Sequence, residues 1–247
     1  MRKRLSPWSR STAKRVFDCA CVVAALPLLV PTLVAIALTV RWTSRGPVLF
    51  LQQRVGRHGR VFTIFKFRTM AAAATNHTIT TATNQQFTPI GRFLRRWKMD
   101  ELPQLLNVLF GDMSLVGPRP KMLEHVAYKP LCRPGITGAA TLVFAREESM
   151  LDQIPKHRLQ DYFHDVVLPA KRRLDAEYME HATFLSDLKL IVNSVLRRWD
   201  PSAMQSLIGV EVFQDQMHAK KAPVAVSPDE SALVRVMPHL DRPIAAE

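Results

Sequence analysis

The strongest constraint on what this chain can fold into is an uncharged, apolar run at residues 19–40. Its 22 residues are enough to cross the hydrocarbon core of a bilayer as an α-helix. Pro27 and Pro31 lie in the middle of the run, where each removes an intrahelical hydrogen bond and crowds the preceding turn. We therefore predict a membrane helix that breaks near these prolines. The run is too long for a cleaved signal peptide, and no small-residue cleavage site follows it.

Basic residues flank the apolar run on both sides. Those before it are Arg2, Lys3, Arg4, Arg10, Lys14 and Arg15, and those after it are Arg41, Arg45, Arg54, Arg57 and Arg60. Because basic flanks mark the cytoplasmic side of a membrane segment, both ends are predicted to lie on the cytosolic face. A helix that enters the membrane and returns on the same side satisfies both flanks. An ordinary kinked helix that spans the bilayer is the alternative.

Charge and apolar content limit the class of protein. Of the 247 residues, 47% are hydrophobic, so a packed core is available and a disordered chain is excluded. The formal net charge of +13 calls for an anionic partner, which can be nucleic acid, an acidic membrane surface or a phosphate-rich substrate. Charge alone does not choose among them.

Beyond the membrane run, the pattern predicts an α/β (α+β) fold: a mostly helical, small globular domain with one β-hairpin. Two β-like stretches at 47–55 and 60–70 are separated by the turn sequence GRHG, and the hairpin should carry Lys66 and Arg68 outward. Residues 71–88 read as a mobile surface loop. Helices are predicted at 89–97, 101–110, 157–178 and 185–199, the second with Leu102, Leu105, Leu106 and Leu109 inward.

The predicted organisation has four parts. Residues 1–13 form a basic N-terminal arm, 14–42 the membrane helix, and 43–200 a cytosolic domain. Residues 201–247 form a C-terminal tail that is poorly ordered towards its end, because it is rich in proline, alanine and charge.

Asp100 and Glu101 are adjacent carboxylates at the predicted start of the helix at 101–110. A structural role explains them without any chemistry, because Asp is a favoured N-cap and Glu suits a first turn. The same position also suits chemistry, since a helix start attracts phosphate and holds a carboxylate ionised. A carboxylate can act as a nucleophile towards a phosphoryl group, and a second one beside it can bind Mg²⁺.

Cations are needed to offset the charge of a diphosphate, and the fork of an arginine suits phosphate oxygens. The candidates are Lys66, Arg68, Arg119 and Arg133, which stand at strand ends or in short loops rich in glycine and proline. Each can equally be a solvated surface cation. The histidines show no paired spacing for zinc, and no Walker loop, GxGxxG motif or serine nucleophile elbow is present.

Six motifs in order, over about residues 14–199, resemble the bacterial sugar transferases, also called monotopic phosphoglycosyl transferases or polyprenyl-phosphate sugar-1-phosphate transferases. They are KRVFD, the proline-broken apolar helix, SRGPVLFLQQRVGRHGRVFTIFKFRTM, PIGRFLRRWKMDELPQLLNVLFGDMSLVGPRP, RPGITG and DLKLI. The chain is similar to the short form of that family. The resemblance implies a re-entrant membrane helix, monotopic attachment to the bacterial inner membrane and a catalytic domain on its cytosolic face.

The resemblance also implies a reaction and roles for residues. Asp100 would attack the β-phosphate of a UDP-sugar and release UMP, and polyprenyl phosphate, such as undecaprenyl phosphate, would then take the phosphosugar. Mg²⁺ would lie near Glu101, with phosphate contacts from Lys66 and Arg119 and further ones from Arg68 and Arg133. Pro118, Pro120 and Gly135 would shape rigid loops, the first two in a turn that can contain a cis-proline. Downstream glycosyltransferases and a homodimer are expected partners, and nucleic acid is not.

Two departures from the family pattern bear on these expectations. Many members have Ser-Pro at the helix break, whereas Val30-Pro31 stands here, and Pro27 is expected to compensate. After RPGITG this chain reads AATLVFAREES, in which Arg146 is expected to replace a late family arginine that binds substrate.

Two other functions compete with the transferase. A non-catalytic, basic, membrane-docked protein would recruit anionic partners through charge alone. An inactive member of the family would keep the fold and lose the reaction. The adjacent acid pair and the two rigid proline loops favour the enzyme, because binding by charge requires neither. An enzyme of this kind would begin the membrane stage of exopolysaccharide, O-antigen or glycoconjugate assembly.

Overall fold

The computed structural model describes residues 5–70, 87–123, 130–145, 147–151, 154–155 and 157–197. The described part is mostly helical and carries one antiparallel hairpin, as the sequence predicts. Most of the loop predicted at 71–88 and all of the tail predicted from 201 lie outside the described residues. The predicted domain boundaries stay predictions.

The apolar run lies in a long helix. A short helix α1 (Pro7–Arg10) is followed by α2 (Thr12–Thr43), whose first turn is capped by the Ser11 side chain, which accepts from the Lys14 N–H at 3.0 Å. Among the described residues, α2 is the one helix long and apolar enough to cross a membrane. The helix continues through Pro27 and Pro31, so it does not end at the predicted break. Its re-entry into the membrane stays a prediction.

Both ends of α2 pack against the rest of the protein, and its middle does not. Near the N-terminal end, Val22 is buried in a cluster with Ile64 and Val108. Near the C-terminal end, Ile36 and Val40 are buried in a second cluster that includes Leu94. No residue in 23–35 is buried. The two flanks of the apolar run therefore contact one globular unit, and the segment between them leaves its apolar side chains uncovered.

The predicted hairpin is confirmed. Strand β1 (Leu49–Val55) pairs antiparallel with β2 (Val61–Phe67) through a short turn at Arg57–Gly59. His58 and Gly59 have positive φ angles of 59° and 82°, which lets the chain reverse tightly. The expectation that Lys66 and Arg68 point outward is wrong. The Lys66 side chain is 17% exposed and Arg68 is buried, because both meet partners inside the protein.

Helices α3 (Gly91–Trp97) and α4 (Gln104–Phe110) follow, separated by a 3₁₀ turn at Met99–Glu101. The prediction of an inward leucine face is confirmed for Leu102, Leu105 and Leu109, which pack on core clusters, and is wrong for Leu106, which is 40% exposed. The most deeply buried residues of α4 are Gln104, Asn107 and Val108. Asn107 explains the difference. Its side chain accepts from the Phe65 N–H at 3.2 Å and donates to the Thr63 carbonyl at 2.7 Å, and it thereby fixes α4 against β2.

The two loops rich in glycine and proline pair with each other, a contact that the sequence did not predict. Strands β3 (Ser114–Val116) and β4 (Gly135–Thr137) run parallel, and the Gly135 N–H donates to the Pro118 carbonyl at 2.9 Å. A Cβ on Gly135 would lie 2.1 Å from the Gly117 nitrogen, so only glycine permits this approach. No peptide bond in the described residues is cis, so the cis-proline form of the turn at Pro118 and Pro120 is wrong.

The largest core cluster is built by the C-terminal helices. These are α5 (Ala139–Val143), α6 (Glu147–Leu151), α7 (Leu159–Tyr162), α8 (Leu168–His181), which continues α7 through a π-helical segment at Phe163–Val167, and α9 (Phe184–Val195). The fully buried carboxylate of Asp187 on α9 accepts from Lys14, from the Trp8 indole at 2.8 Å and from the Tyr178 hydroxyl at 2.8 Å. This network attaches the start of the membrane helix to the core.

Candidate active site

The two predicted catalytic carboxylates lie in the 3₁₀ turn between α3 and α4. Lys98, at φ 57°, ends α3 in a left-handed conformation, and the chain turns so that Asp100 and Glu101 are both buried. The cap position of α4 is occupied by Pro103, which has no side-chain hydrogen bond. Asp100 is therefore not the N-cap of α4, so the capping role that offered a purely structural explanation is absent.

Glu101 is held between two cations from different parts of the chain. Its Oε1 accepts from Lys66 Nζ at 3.1 Å and from Arg119 Nη2 at 2.7 Å. Burial alone would raise the pKa of the Glu101 carboxyl, but Arg119 and Lys66 outweigh burial and hold that pKa well below its ordinary value. In turn, Glu101 raises the pKa of Arg119. Burial lowers the pKa of Lys66, and the charge of Glu101 opposes this. The three side chains form a hydrogen-bonded triad.

Asp100 is in a different state from its neighbour. Its Oδ1 is buried and has no hydrogen-bond partner. Burial, together with the adjacent charge of Glu101, raises the pKa of the Asp100 carboxyl above its ordinary value, and Lys66 and Lys98 partly oppose this. A desolvated carboxylate oxygen with free lone pairs is suited to attack an electrophile. The two acids therefore differ in environment in a way that permits two different roles.

A small recess lies beside the triad. Its polar lining consists of Arg54, Lys66, Gln104 and Arg119, and its remaining walls are Ile64, Pro120, Gly135 and Ile136. Asp100 and Glu101 are not part of this lining, and Glu101 is connected to the recess through Lys66 and Arg119. Cationic donors that converge on a concave surface suit an anionic ligand.

Arg119 reaches the triad because the two loops pair. The Gly117 N–H donates to the Thr137 carbonyl at 2.9 Å, and the Gly135 N–H donates to the Pro118 carbonyl. These two hydrogen bonds hold the backbone that leads into Arg119. Pro118 and Pro120 are the sequence neighbours of Arg119 and restrict the backbone conformations on either side of it. The predicted structural residues Pro118, Pro120 and Gly135 are thus brought together around Arg119.

The structure does not bring the other predicted cations to the dyad. Arg68 donates to the Ser44 carbonyl at 2.9 Å and to the Ser44 hydroxyl at 2.6 Å, and so holds the chain where it leaves α2. Arg133 donates to the Gly111 carbonyl at 2.8 Å, beyond the C-terminal end of α4. Arg146 lies outside the described residues. Phosphate binding by these three arginines stays a prediction.

The oxygen ligands that the site offers to Mg²⁺ are the carboxylates of Asp100 and Glu101. Within the described residues, no three His, Cys, Asp or Glu side chains lie close enough together to hold a metal ion by themselves. Mg²⁺ is commonly held by one or two carboxylates and completes its shell with substrate phosphates and water. The unpartnered Oδ1 of Asp100 and the adjacent carboxylate of Glu101 fit that pattern. A Mg²⁺ ion held by these two carboxylates would complete its shell with phosphate oxygens and water.

Sequence reasoning missed three polar residues around the site: Arg54, Gln104 and Asn107. Arg54 and Gln104 line the recess, and Asn107 fixes α4 to β2. A signal was present, because Gln104 and Asn107 are polar residues three positions apart in the otherwise apolar stretch ELPQLLNVLF. Residues at this spacing share one face of a helix, and that face is the buried one.

Comparison with known proteins identifies the family. Residues 9–200 match the family model described as bacterial sugar transferase. The chain belongs to the bacterial sugar transferase family. The resemblance found in the six sequence motifs is thereby confirmed.

Curated members of the bacterial sugar transferase family include three informative relatives. An undecaprenyl-phosphate glucose phosphotransferase of Komagataeibacter xylinus is 37% identical over 212 residues, which cover 79% of this chain and 37% of the relative. A UDP-glucose:undecaprenyl-phosphate glucose-1-phosphate transferase of Escherichia coli K12 is 35% identical over 196 residues, 74% of this chain and 39% of the relative. An uncharacterised sugar transferase, EpsL of Bacillus subtilis, is 36% identical, with 74% of this chain and 85% of the relative covered. The chain spans less than two fifths of the length of the first two.

Proposed function

We propose that this protein transfers a sugar-1-phosphate from a UDP-sugar to undecaprenyl phosphate, with Asp100 as the nucleophile. The proposal is carried by two neighbouring features. Asp100 has a buried oxygen without a hydrogen-bond partner, and the adjacent residue Glu101 belongs to a Lys66–Glu101–Arg119 triad that borders a cationic recess. The names of the K. xylinus and E. coli relatives support the general reaction. Binding by charge alone would not require a buried carboxylate that is left without a hydrogen bond.

In the first step, Lys66 and Arg119 bind the donor diphosphate. Because the diphosphate carries two negative charges and a carboxylate carries one, the diphosphate competes with Glu101 for both cations. An Asp100 oxygen then forms a bond to the β-phosphorus, and the bond from that phosphorus to the bridging oxygen breaks. The bridging oxygen keeps the electron pair and leaves as part of UMP, while the phosphosugar stays on Asp100 as an acyl phosphate.

In the second step, a phosphate oxygen of undecaprenyl phosphate attacks the same phosphorus. The bond to Asp100 breaks, the electron pair returns to the carboxylate, and a lipid-linked diphosphosugar leaves. No net proton is gained or lost over the two steps. This product would be the acceptor for later glycosyltransferases of exopolysaccharide, O-antigen or glycoconjugate assembly.

Glu101 is the residue that would hold Mg²⁺ once the diphosphate has drawn the two cations away. The ion would neutralise phosphate charge during the displacement. Glu101 has a second effect that needs no metal, because its negative charge helps to keep Lys66 and Arg119 protonated and oriented before the donor arrives.

We further propose that α2 is re-entrant and that the catalytic domain lies on the cytosolic face of the inner membrane. The support is that Val22 and Val40, on opposite sides of the apolar middle, both pack on the same globular unit. A straight spanning helix would carry its two ends to opposite sides of the bilayer and would separate these contacts. Exposed residues in the middle, such as Leu28 at 77%, would then lie in lipid.

Activity is tested with purified protein, Mg²⁺, undecaprenyl phosphate and a panel of UDP-glucose, UDP-galactose and UDP-N-acetylgalactosamine. We expect UMP release with at least one sugar, complete loss in Asp100→Asn, and a phosphosugar trapped on Asp100 when the lipid is omitted. Asp161→Asn makes the same chemical change at an exposed position and should keep full activity. UMP release by Asp100→Asn at the wild-type rate would refute the mechanism, and no release from folded wild-type protein would refute the function.

Topology is tested by cysteine labelling. Cys19, Cys21 and Cys132 are first replaced, and single cysteines are then placed at the exposed positions Arg10 and Arg45. A membrane-impermeant maleimide should label both positions in inside-out vesicles and neither in intact spheroplasts. Labelling of one position from each side would show a spanning helix instead.

A further inference from the structure

Two hydrogen-bond donors in the recess are buried and have no partner. They are Nε of Arg54 and Nε2 of Gln104, and Gln104 is only 3% exposed. The Nη2 of Arg54 donates to the neutral Gln52 side chain at 2.5 Å. A buried donor without an acceptor is costly, so such a pair in a cavity indicates an absent ligand that supplies acceptors.

The charge of the recess indicates that this ligand is an anion. Arg54, Lys66 and Arg119 line it, and Glu101 pairs with the last two. Among the described residues no carboxylate forms an ion pair with Arg54. Burial, together with the nearby charge of Arg119, lowers the pKa of Arg54 to about 10, which still leaves the guanidinium charged at neutral pH. A negative ligand beside Arg54 would compensate this buried charge.

Arg54 and Lys66 reach the recess from separate points on the hairpin. Arg54 lies on β1 opposite Phe62, and Lys66 lies four residues beyond Phe62 on β2. Four residues of strand span about 13 Å, so the two cations start from separate points and converge on one cavity. Lys66 and Arg119 contact Glu101, beside the nucleophile, and therefore suit the phosphate that is attacked. Arg54 is left for the other phosphate.

We propose that Arg54 and Gln104 bind the donor phosphate that leaves with the nucleoside, Arg54 through its guanidinium and Gln104 through its amide N–H groups. This assignment rests on the proposed function for the identity of the donor. It gives the two residues a chemical role, because negative charge grows on the leaving phosphate as its bond to the attacked phosphorus breaks. Donors already fixed at that position stabilise the charge without reorganisation.

The test measures binding of inorganic pyrophosphate, UMP and uridine to the purified full-length protein by calorimetry, without Mg²⁺. We expect Arg54→Gln to weaken binding of pyrophosphate and UMP about 10- to 100-fold, as for loss of one hydrogen bond to a charged group, and to leave uridine binding unchanged. Arg54→Lys should restore part of the affinity. Arg60→Gln removes the same charge from an exposed position on the same hairpin and should change nothing.

Gln104→Met separates ligand binding from a structural role. Methionine has a similar volume and carries no donor, so the unsatisfied amide is removed. We expect a retained unfolding temperature together with weaker pyrophosphate binding, whereas a structural residue would show the reverse. The inference is overturned if wild-type protein does not bind pyrophosphate, or if Arg54→Gln binds it as wild type does. If binding depends on Arg54 but no UDP-sugar yields UMP, the proposed function fails and the phosphate site remains.

Discussion

Asp187 is one of the residues that attach the membrane helix to the core, and the cost of changing it follows from its contacts. Its side chain is fully buried, and three donors converge on it: Lys14 and Trp8 on Oδ2, and Tyr178 on Oδ1. The Tyr178 hydroxyl also lies 3.0 Å from the Val116 carbonyl oxygen, directly before the loop that carries Arg119. Asp187 therefore connects the membrane helix, α9 and the active-site loop.

In Asp187→Asn, the charge that compensates the buried ammonium of Lys14 is lost, and an amide N–H₂ replaces one acceptor so that it faces a donor. Removing one partner of a buried ion pair typically costs about 3–5 kcal/mol. For a domain of this size, about 1 kcal/mol moves the unfolding temperature by about 2–4 °C. We therefore expect a decrease of about 6–20 °C, together with a higher KM for the donor because the support of Val116 is weakened.

The assay is thermal unfolding in lipid nanodiscs, followed by intrinsic fluorescence. Asp165→Asn, the same change at an exposed position in the π-helical segment Phe163–Val167, should shift the unfolding temperature by less than 2 °C, about the effect expected of a surface substitution. The double variant Lys14→Met/Asp187→Leu removes both charges of the pair and should recover part of the loss, because replacing a buried ion pair by apolar side chains costs less than leaving one of its charges unpaired. A loss below about 1 kcal/mol in Asp187→Asn, or no recovery in the double variant, would refute the reasoning.

Two further predictions concern the dyad and the paired loops. Lys98 lowers the pKa of Asp100, so Lys98→Gln should raise that pKa further. The acid limb of the pH profile of kcat/KM should then move to higher pH, because the proposed nucleophile must be ionised. Arg92→Gln removes an exposed charge from α3 and should leave that limb in place, and equal shifts in both variants would contradict the assignment. In Gly135→Ala, the new methyl would meet the Gly117 nitrogen at 2.1 Å and force the loops apart, at a cost of about 1–3 kcal/mol or more. UMP-release kinetics should show a KM at least about 10-fold higher, and an unchanged KM would show that the loop pairing does not position the donor site.

Local patterns in the sequence predicted the features that depend on neighbouring residues. The uncharged run at 19–40 specified a membrane helix, because no other element buries 22 apolar residues in succession. The alternating stretches around GRHG specified the hairpin, since a tight turn joins strands of matching pattern. The ordered motifs specified the family and the acid pair.

Tertiary structure decided how the candidate cations are placed around the acid pair. Residue type and position left Lys66, Arg68, Arg119 and Arg133 as candidates, and the family resemblance put Lys66 and Arg119 first. Of these four, Lys66 and Arg119 form ion pairs with Glu101. Arg119 does so because two loops far apart in the chain approach closely at Gly117 and Gly135, while Arg68 and Arg133 are used to hold backbone carbonyls.

The buried face of α4 was decided in the same way. Its leucines suggested an apolar inward face, but Asn107 finds two backbone partners on β2 and turns Gln104 towards the recess. A hydrophobic pattern records which side chains avoid water and carries no information on which backbone groups of another element need a partner. The sequence therefore determined the membrane helix, the hairpin and the identity of the acids, and long-range packing determined the charges and donors placed around them.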